Sequence, residues 1–340
     1  MLAFSDTAGH RRQTRLLAHA IARGTLPPAL LFVGPDGVGK FSVARAVAAT
    51  LNCLAPRKDA DGLAIDACGM CRSCDRIARS VHVDLFALAP DDKASIKINV
   101  VRDVLSRTGF KPFEGQRRVV IIREADALEP QAQNALLKSL EEPPPGTIFI
   151  LTTSVASALL PTVLSRCMRL RFGRLTARDI ERILTRDEEM SAADAREAAA
   201  LANGSVGQAL MLGSTDLAVL RETAMVLLRQ TPQAPAPARL QAAALITTGT
   251  TKKDRTREEV ALILQMIASL LRDIELLNAG GEPQSLANPG LIGDLQPLQR
   301  AYSGDRAREA FAFVDKAIVS IGRPYNAAPK LVTEWLALHI

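Results

Sequence analysis

The sequence predicts an α/β protein whose first half is a doubly wound parallel sheet, and three observations carry that reading. Leu30 to Ser42, LLFVGPDGVGKFS, couples a short apolar strand to a glycine-rich turn and then a helix. Arg118 to Ile122, RVVII, and Thr147 to Thr153 are runs rich in β-branched residues, of the kind that lie inside a parallel sheet. Helical patterns stand between the strands, and alternating β and α elements close as right-handed βαβ units. The alternation ends near Phe172.

In chain order, Gln13 to Arg23 places Leu16, Leu17, Ala20 and Ile21 at helical spacing and leads into the first strand. In the turn that follows, Gly34, Gly37 and Gly39 let backbone amides face inward, and Lys40 adds a point charge. A helix beginning at Lys40 offers its positive end to an anion. Such a turn either cradles the phosphates of ATP or ADP or is a strand-to-helix connection that binds nothing. One position departs from the nucleotide pattern G-x-x-x-x-G-K-[ST]: Phe41 stands where a hydroxyl would hold magnesium. Ser42 comes one residue late, about 100° further round the helix.

Val43, Ala46, Val47 and Leu51 continue the helix, and then the core pattern breaks. Cys53, Cys68, Cys71 and Cys74, spaced C-x14-C-x2-C-x2-C, can place four thiolates around a zinc ion, with Gly69 in the knuckle. Four thiolates leave no open position for water, so the zinc is structural rather than catalytic. An iron–sulfur cluster has the same ligand chemistry, and redox chemistry at Cys71-Arg-Ser-Cys74 would leave the other two cysteines unexplained. The fifth cysteine is Cys167.

Val83 to Leu88 reads as a strand and Ile98 to Thr108 as a helix through Val101, Val104 and Leu105. After RVVII, where an ATPase places the acid that holds magnesium, stands Arg123, a cation that repels the metal; Glu124, of the type that polarises water, follows it. Gln131 to Glu142 is a helix stopped by Pro143, Pro144 and Pro145. Leu175 to Gly213 shows three short helices, the first capped by Thr176 and the alanine-rich second ended by Asn203-Gly204. Thr231 to Ala238 and the polar stretch at 247–256 read as loops of a further helical domain. Glu258 to Leu277 is apolar on most faces, and Ala310, Phe311, Val314, Ile318 and Ile321 form a stripe.

Length and composition fit this organisation. A chain of 340 residues holds two or three domains, here 1–174 with a metal insert at 53–79, then 175–213 and 214–340. No apolar run reaches the roughly 18 residues of a membrane span, and Arg11, Arg12 and Arg15 interrupt any signal-peptide pattern, so a cytoplasmic protein without membrane partners is expected. Five cysteines in a reducing compartment point to metal or burial rather than disulfides. A net charge of +6 allows nucleic-acid contact without demanding it, and 4% aromatic residues weaken any reading based on base stacking.

GPDGVGK, the four cysteines, NALLKSLEEPP at 134–144 and LLPTVLSRC at 159–167, taken in order, resemble the clamp-loader subunits of bacterial DNA polymerase III, AAA+ proteins, and among them the δ′ branch. The likeness runs through the first 210 residues or so. It implies an AAA+ P-loop domain, a small helical lid at 175–213, and an all-α collar that joins five subunits. It implies γ/τ and δ subunits as partners in opening the sliding clamp and placing it on primed DNA. The motor subunits of that family, γ and τ, carry an arginine at the fourth position of a Gly-x-x-Arg turn in the lid, whereas the matching GSVG here ends in Gly207. With Phe41 and Arg123 this makes three departures, and the chain reads as the non-hydrolysing stator. The alternative is an ATP-hydrolysing γ/τ-type motor.

The resemblance also assigns Arg166, in Ser165-Arg166-Cys167, the role of a catalytic finger that enters a neighbouring subunit's nucleotide site. Composition alone makes it a surface arginine at a helix end. A zinc-dependent nucleic-acid module is a different class of reading. Arg72, Arg76 and Arg79 favour it, and Asp59, Asp61, Asp66 and Asp75 dilute the patch. Polymerase or nuclease chemistry finds no constellation of acids.

Overall fold

The computed structural model describes residues 3–340 except 92–94, 189, 214–216, 233, 249–253, 323, 324 and 326. Helix α1 (Arg11–Ala22) leads into β1 (Ala29–Val33) and, through the glycine turn, α2 (Lys40–Asn52). The cysteine insert folds as a two-stranded ribbon, β2 (Arg57–Lys58) and β3 (Ala64–Asp66), followed by α3 (Arg72–Ala78). Then come β4 (Leu85–Leu88), α4 (Ile98–Thr108), β5 (Arg118–Ile122), α5 (Pro130–Glu141), β6 (Thr147–Thr153), α6 (Pro161–Leu164), β7 (Met168–Arg171) and α7 (Ala177–Asp187).

The sheet runs in the order β4-β5-β6-β1-β7 with every neighbouring pair parallel. Side chains alternate across it. Leu30, Phe32, Val119, Ile121, Ile148 and Ile150 pack against Val43, Ala44 and Val47 of α2. Leu31, Val120, Ile122, Phe149 and Leu151 pack against Val101 of α4 and Ala132, Leu136 and Leu140 of α5. Burial on both faces explains why these strands read as unbroken apolar runs. Because β1 lies between β6 and β7, with Val33 opposite both Thr153 and Arg171, the loops after these strands emerge along one edge.

One strand starts later than its sequence suggests. Leu85 rather than Val83 opens β4, because His82 and Asp84 form a turn whose carbonyl at His82 accepts from the Leu85 amide at 3.0 Å. Asp84 is fully buried. Its carboxylate accepts from the amides of Phe113, Glu114 and Gly115 at 2.8, 2.9 and 2.8 Å and from Nη2 of Arg118 at 3.2 Å. Arg118 in turn donates to the carbonyls of Arg107, Phe110 and Lys111 at 2.8, 2.6 and 3.1 Å. This buried pair therefore closes the 107–115 connection from both sides. Burial pushes the Asp84 carboxyl up, but the three amides and the guanidinium outweigh it and hold it below the usual carboxylate value.

Contacts divide the chain into two compact units, Met1–Glu188 with Gly204–Gly207, and Glu189–Asn203 with Gln208–Ile340. The segment 175–213 is not set apart in this division: α7 belongs with the sheet, and α8 (Ala192–Leu201) packs on a helix of the second unit. The second unit continues through α9 (Val206–Gly213), α10 (Leu217–Gln230), α11 (Ala236–Thr247), α12 (Arg257–Asn278), α13 (Ile292–Ala301), α14 (Arg306–Ile321) and α15 (Pro329–His339). Its axis is α12, opened by a capping box between Thr256 and Glu259 and packed on α10, α13 and α14. Val260, Ile263, Leu264, Ile267, Leu270, Leu271 and Ile274 of α12 are all buried, as its apolar faces predict.

Two details of this unit correct the sequence reading. Phe311 is 42% exposed and lies off the buried face of α14, which is made by Ala307, Ala310, Val314, Ala317 and Ile321. Thr231 to Ala238 is not all loop, because Pro235 caps α11 and Pro237 sits in its first turn, where proline's fixed φ and missing N–H suit a helix start. Of the 247–256 stretch, residues 249–253 lie outside the described residues.

Asp84→Ala is expected to destabilise the α/β unit by about 3 to 5 kcal/mol, since it leaves Arg118 buried without its counter-charge. Because the folded pKa is depressed, the carboxylate's contribution is present above the unfolded value and is lost as pH falls through the folded one. Denaturant titrations of wild type and variant at neutral pH and near pH 3 check this, and the difference between them should shrink at the lower pH.

Candidate functional site

The glycine turn is shaped by close approaches. A Cβ on Gly34 would lie 2.2 Å from the Phe172 carbonyl oxygen just past β7, so only glycine fits there. Gly37 and Gly39 take positive φ, 71° and 98°. A Cβ on Gly37 would meet Ser205 Oγ at 2.1 Å, whereas one on Gly39 would meet nothing. Lys40 is buried, and its ammonium donates to the carbonyls of Gly34 and Pro35 at 2.6 and 2.7 Å, with Asp36 at 3.5 Å. Burial lowers its pKa, and Asp36, Asp126 and Glu124 partly restore it.

The two residues that break the ATPase pattern meet in space. The Arg123 guanidinium stands 4.5 Å from the centre of the Phe41 ring, and that of Arg45 stands 5.8 Å from it. A cation held over an aromatic face thus lies beside the phosphate loop where the pattern would place a hydroxyl and a carboxylate. Ser42 is exposed, as its helical position requires. Next to Arg123, Glu124 adopts a left-handed backbone with φ 50°, and its amide donates to Thr152 Oγ1 at 3.2 Å. Thr153 donates to Asp126 Oδ1 at 2.6 Å, which ties the ends of β5 and β6 together.

The third departure also abuts the loop. The amide of Gly207 donates to the Gly37 carbonyl at 3.2 Å, and a Cβ at 207 would lie 3.2 Å from the Gly37 Cα. The position that carries an arginine in the motor pattern is here pressed backbone to backbone on the phosphate loop.

Arg166 follows the short α6. Its Nε and Nη2 both donate to Oε2 of Glu141, at 3.1 and 2.8 Å, and Nη1 donates to the Thr162 carbonyl at 3.1 Å. The sequence reading missed Glu141. The motif LLKSLEEPP contains it, but the 25-residue separation hides the pairing.

The four expected cysteines converge. Cys53 ends α2, Cys71 caps α3, Cys74 lies within α3, and Cys68 precedes the Gly69 turn at φ 79°. Their sulfur atoms all lie within 4.8 Å of one another, with Cys53–Cys71 and Cys68–Cys74 at 4.0 Å and Cys53–Cys74 at 3.7 Å. None of them forms a disulfide. Backbone amides point at the sulfurs, from Cys68 to Cys53 at 3.2 Å and from Cys71 to Cys68 at 3.3 Å. Burial works to raise the Cys71 thiol, but amides of Cys74 and Leu54 and the neighbouring thiols bring it down to about 6. Such a cluster can hold a metal ion, and the donor set is that of a soft or borderline one. Of the arginines around the cysteines, Arg79 pairs with Asp75 and Arg76 with Glu114.

Residues 9–176 match the family described as DNA polymerase III, delta subunit. That match covers the α/β half of this chain. Over 142 residues the chain is 39% identical to the DNA polymerase III subunit delta′ of Pseudomonas aeruginosa, covering 42% of each. It is 35% identical over 221 residues to the DNA polymerase III subunit tau of Salmonella typhimurium, covering 64% of this chain and 33% of that one. The chain thus spans well under half the length of these relatives. A solved DNA polymerase III gamma subunit-related protein from Thermotoga maritima aligns over 96% of this chain and 97% of its own, at 16% identity and a TM-score of 0.43, too distant to carry an argument.

Relatives named both delta′ and tau match, so the likeness itself does not separate the branches. Among the described residues no helix is long and apolar enough to cross a membrane. The packing at the loop yields a graded expectation. Gly39→Ala should cost about 1 to 2 kcal/mol for its left-handed backbone alone. Gly37→Ala should cost more, because its Cβ also meets Ser205 and Gly207, and adding Ser205→Gly should recover part of the loss. Thermal denaturation of the three variants checks the order.

Proposed function

We propose that this chain is the non-hydrolysing, δ′-type stator of the DNA polymerase III clamp loader. In this reading it works with γ/τ and δ subunits in the cytoplasm to place the sliding clamp on primed DNA. The observation that carries it is the contact between Phe41 and Arg123. Phosphoryl transfer needs magnesium to offset charge on the phosphates. Here both positions that would bind the metal are taken by an aromatic ring and a cation in contact at 4.5 Å. Glycine packing and the Lys40 hydrogen bonds to the Gly34 and Pro35 carbonyls hold the loop's shape. In the same reading α7 to α9 serve as the lid and the helices after Gly213 as the collar.

In the same reading the catalytic contribution passes to Arg166, as a finger for a neighbour's nucleotide site. A planar guanidinium meets two phosphate oxygens at once and offsets the charge that builds during transfer. The cysteine cluster is read as a structural zinc site. Four thiolates about 2.3 Å from a tetrahedral zinc lie about 3.8 Å from one another, a spacing the observed 3.7 and 4.0 Å support. Bound zinc would tie α2 to α3 and leave no position open for chemistry.

Three outcomes are expected. The purified chain alone should show no ATP turnover above background, measured as phosphate release with magnesium; robust turnover abolished by Lys40→Ala would establish the motor reading instead. Metal analysis of protein purified without chelator should find one zinc per chain, and Cys71→Ser should lose it while circular dichroism still reports a folded sheet. In a loader reconstituted with motor and δ subunits, Arg166→Ala should assemble normally while turnover at the site it completes falls by about 10³-fold or more. Normal turnover and clamp loading by that complex would remove the finger role.

A further inference from the structure

If Arg166 acts in trans, something in this chain must aim it, and the geometry around it names the group. Resting on that reading, we infer that Glu141 is the positioning residue of the finger. A guanidinium carries five N–H donors. Two of those on Arg166 go to one oxygen of Glu141 and a third goes to the Thr162 carbonyl. The two that remain are one on each Nη, and these are the donors left for phosphate oxygens. The carboxylate thus takes the Nε/Nη2 edge of the fork and fixes its plane.

Two further observations separate this from an incidental surface pair. Glu141 is the last residue of α5, where the helix dipole disfavours a carboxylate, so its placement has a local cost that a neutral residue would avoid. Pro143, Pro144 and Pro145 end the helix immediately after, which fixes where that carboxylate stands. The pair is also accessible, with the Arg166 side chain 31% and the Glu141 side chain 60% exposed. An exposed pair of this kind adds little to stability, so its worth lies in preorganisation.

The test uses the reconstituted loader with motor and δ subunits, clamp and primed DNA. Glu141→Ala should lower the maximal DNA-stimulated ATP turnover by roughly 10 to 10²-fold, leaving the KM for ATP, the assembly and the melting temperature of the chain unchanged. Glu141→Gln, which keeps an accepting oxygen, should recover most of the loss. In an Arg166→Ala background, Glu141→Ala should have no further effect, which a separate structural role would not reproduce. If Arg166→Ala is slow while Glu141→Ala turns over normally, the positioning role is overturned and the finger stands. A further loss in the double variant also overturns it. If Arg166→Ala itself is normal, the finger falls and this inference with it.

Discussion

The parallel burial of β1 is the constraint on which the rest of the first unit depends. A strand covered on both faces and paired on both edges can be connected only by crossovers, so the carboxyl ends of its neighbours come out on its own side. Val33 lies opposite Thr153 and Arg171, and Gly34, Ser154 and Phe172 must therefore crowd together. Gly34 has no room for a Cβ because Phe172 passes 2.2 Å from where it would be. The glycine that looks like a phosphate-binding residue is thus required by packing before any ligand is considered.

That loop is electrostatically self-contained. Lys40 is the only charge placed deep within it, and the carbonyls of Gly34 and Pro35 supply the acceptors that water would otherwise supply. Desolvation still wins over the neighbouring carboxylates, so the net effect on Lys40 is a lowered pKa. Arg123 sits outside this shell, exposed and stacked on Phe41, where the ring replaces part of the hydration of the guanidinium. The substitutions at 41 and 123, 82 residues apart in sequence, are one change in space.

The cysteine insert is built differently, mostly from local rather than long-range determinants. Three of the four thiols come from a seven-residue span, and Gly69 supplies the left-handed turn that brings Cys68 and Cys71 together. Only Cys53 arrives from a distant element, carried by the end of α2. A small apolar cluster of Ala49, Ala67 and Ile77 packs beneath the sulfurs, so the insert has a core of its own.

The sequence by itself determined the strands, the helix spans, the four-cysteine cluster and the residues that stand at positions 41 and 123. These are local properties: a buried strand must be apolar, α2 begins at Lys40 because the glycines before it turn the chain, and C-x2-C-x2-C converges over a single turn. Even there the start of β4 slipped by two residues, because Asp84 answers to Arg118, 34 residues away, and not to its own neighbours. Only the tertiary structure decided which polar groups face each other. The Asp84–Arg118 pair, the stacking of Arg123 on Phe41, the backbone contact of Gly207 with Gly37 and the hold of Glu141 on Arg166 all join residues from separate elements. An exposed or buried charge carries no mark in the sequence of the partner it will find, since that partner is set by the crossovers of the sheet rather than by spacing along the chain.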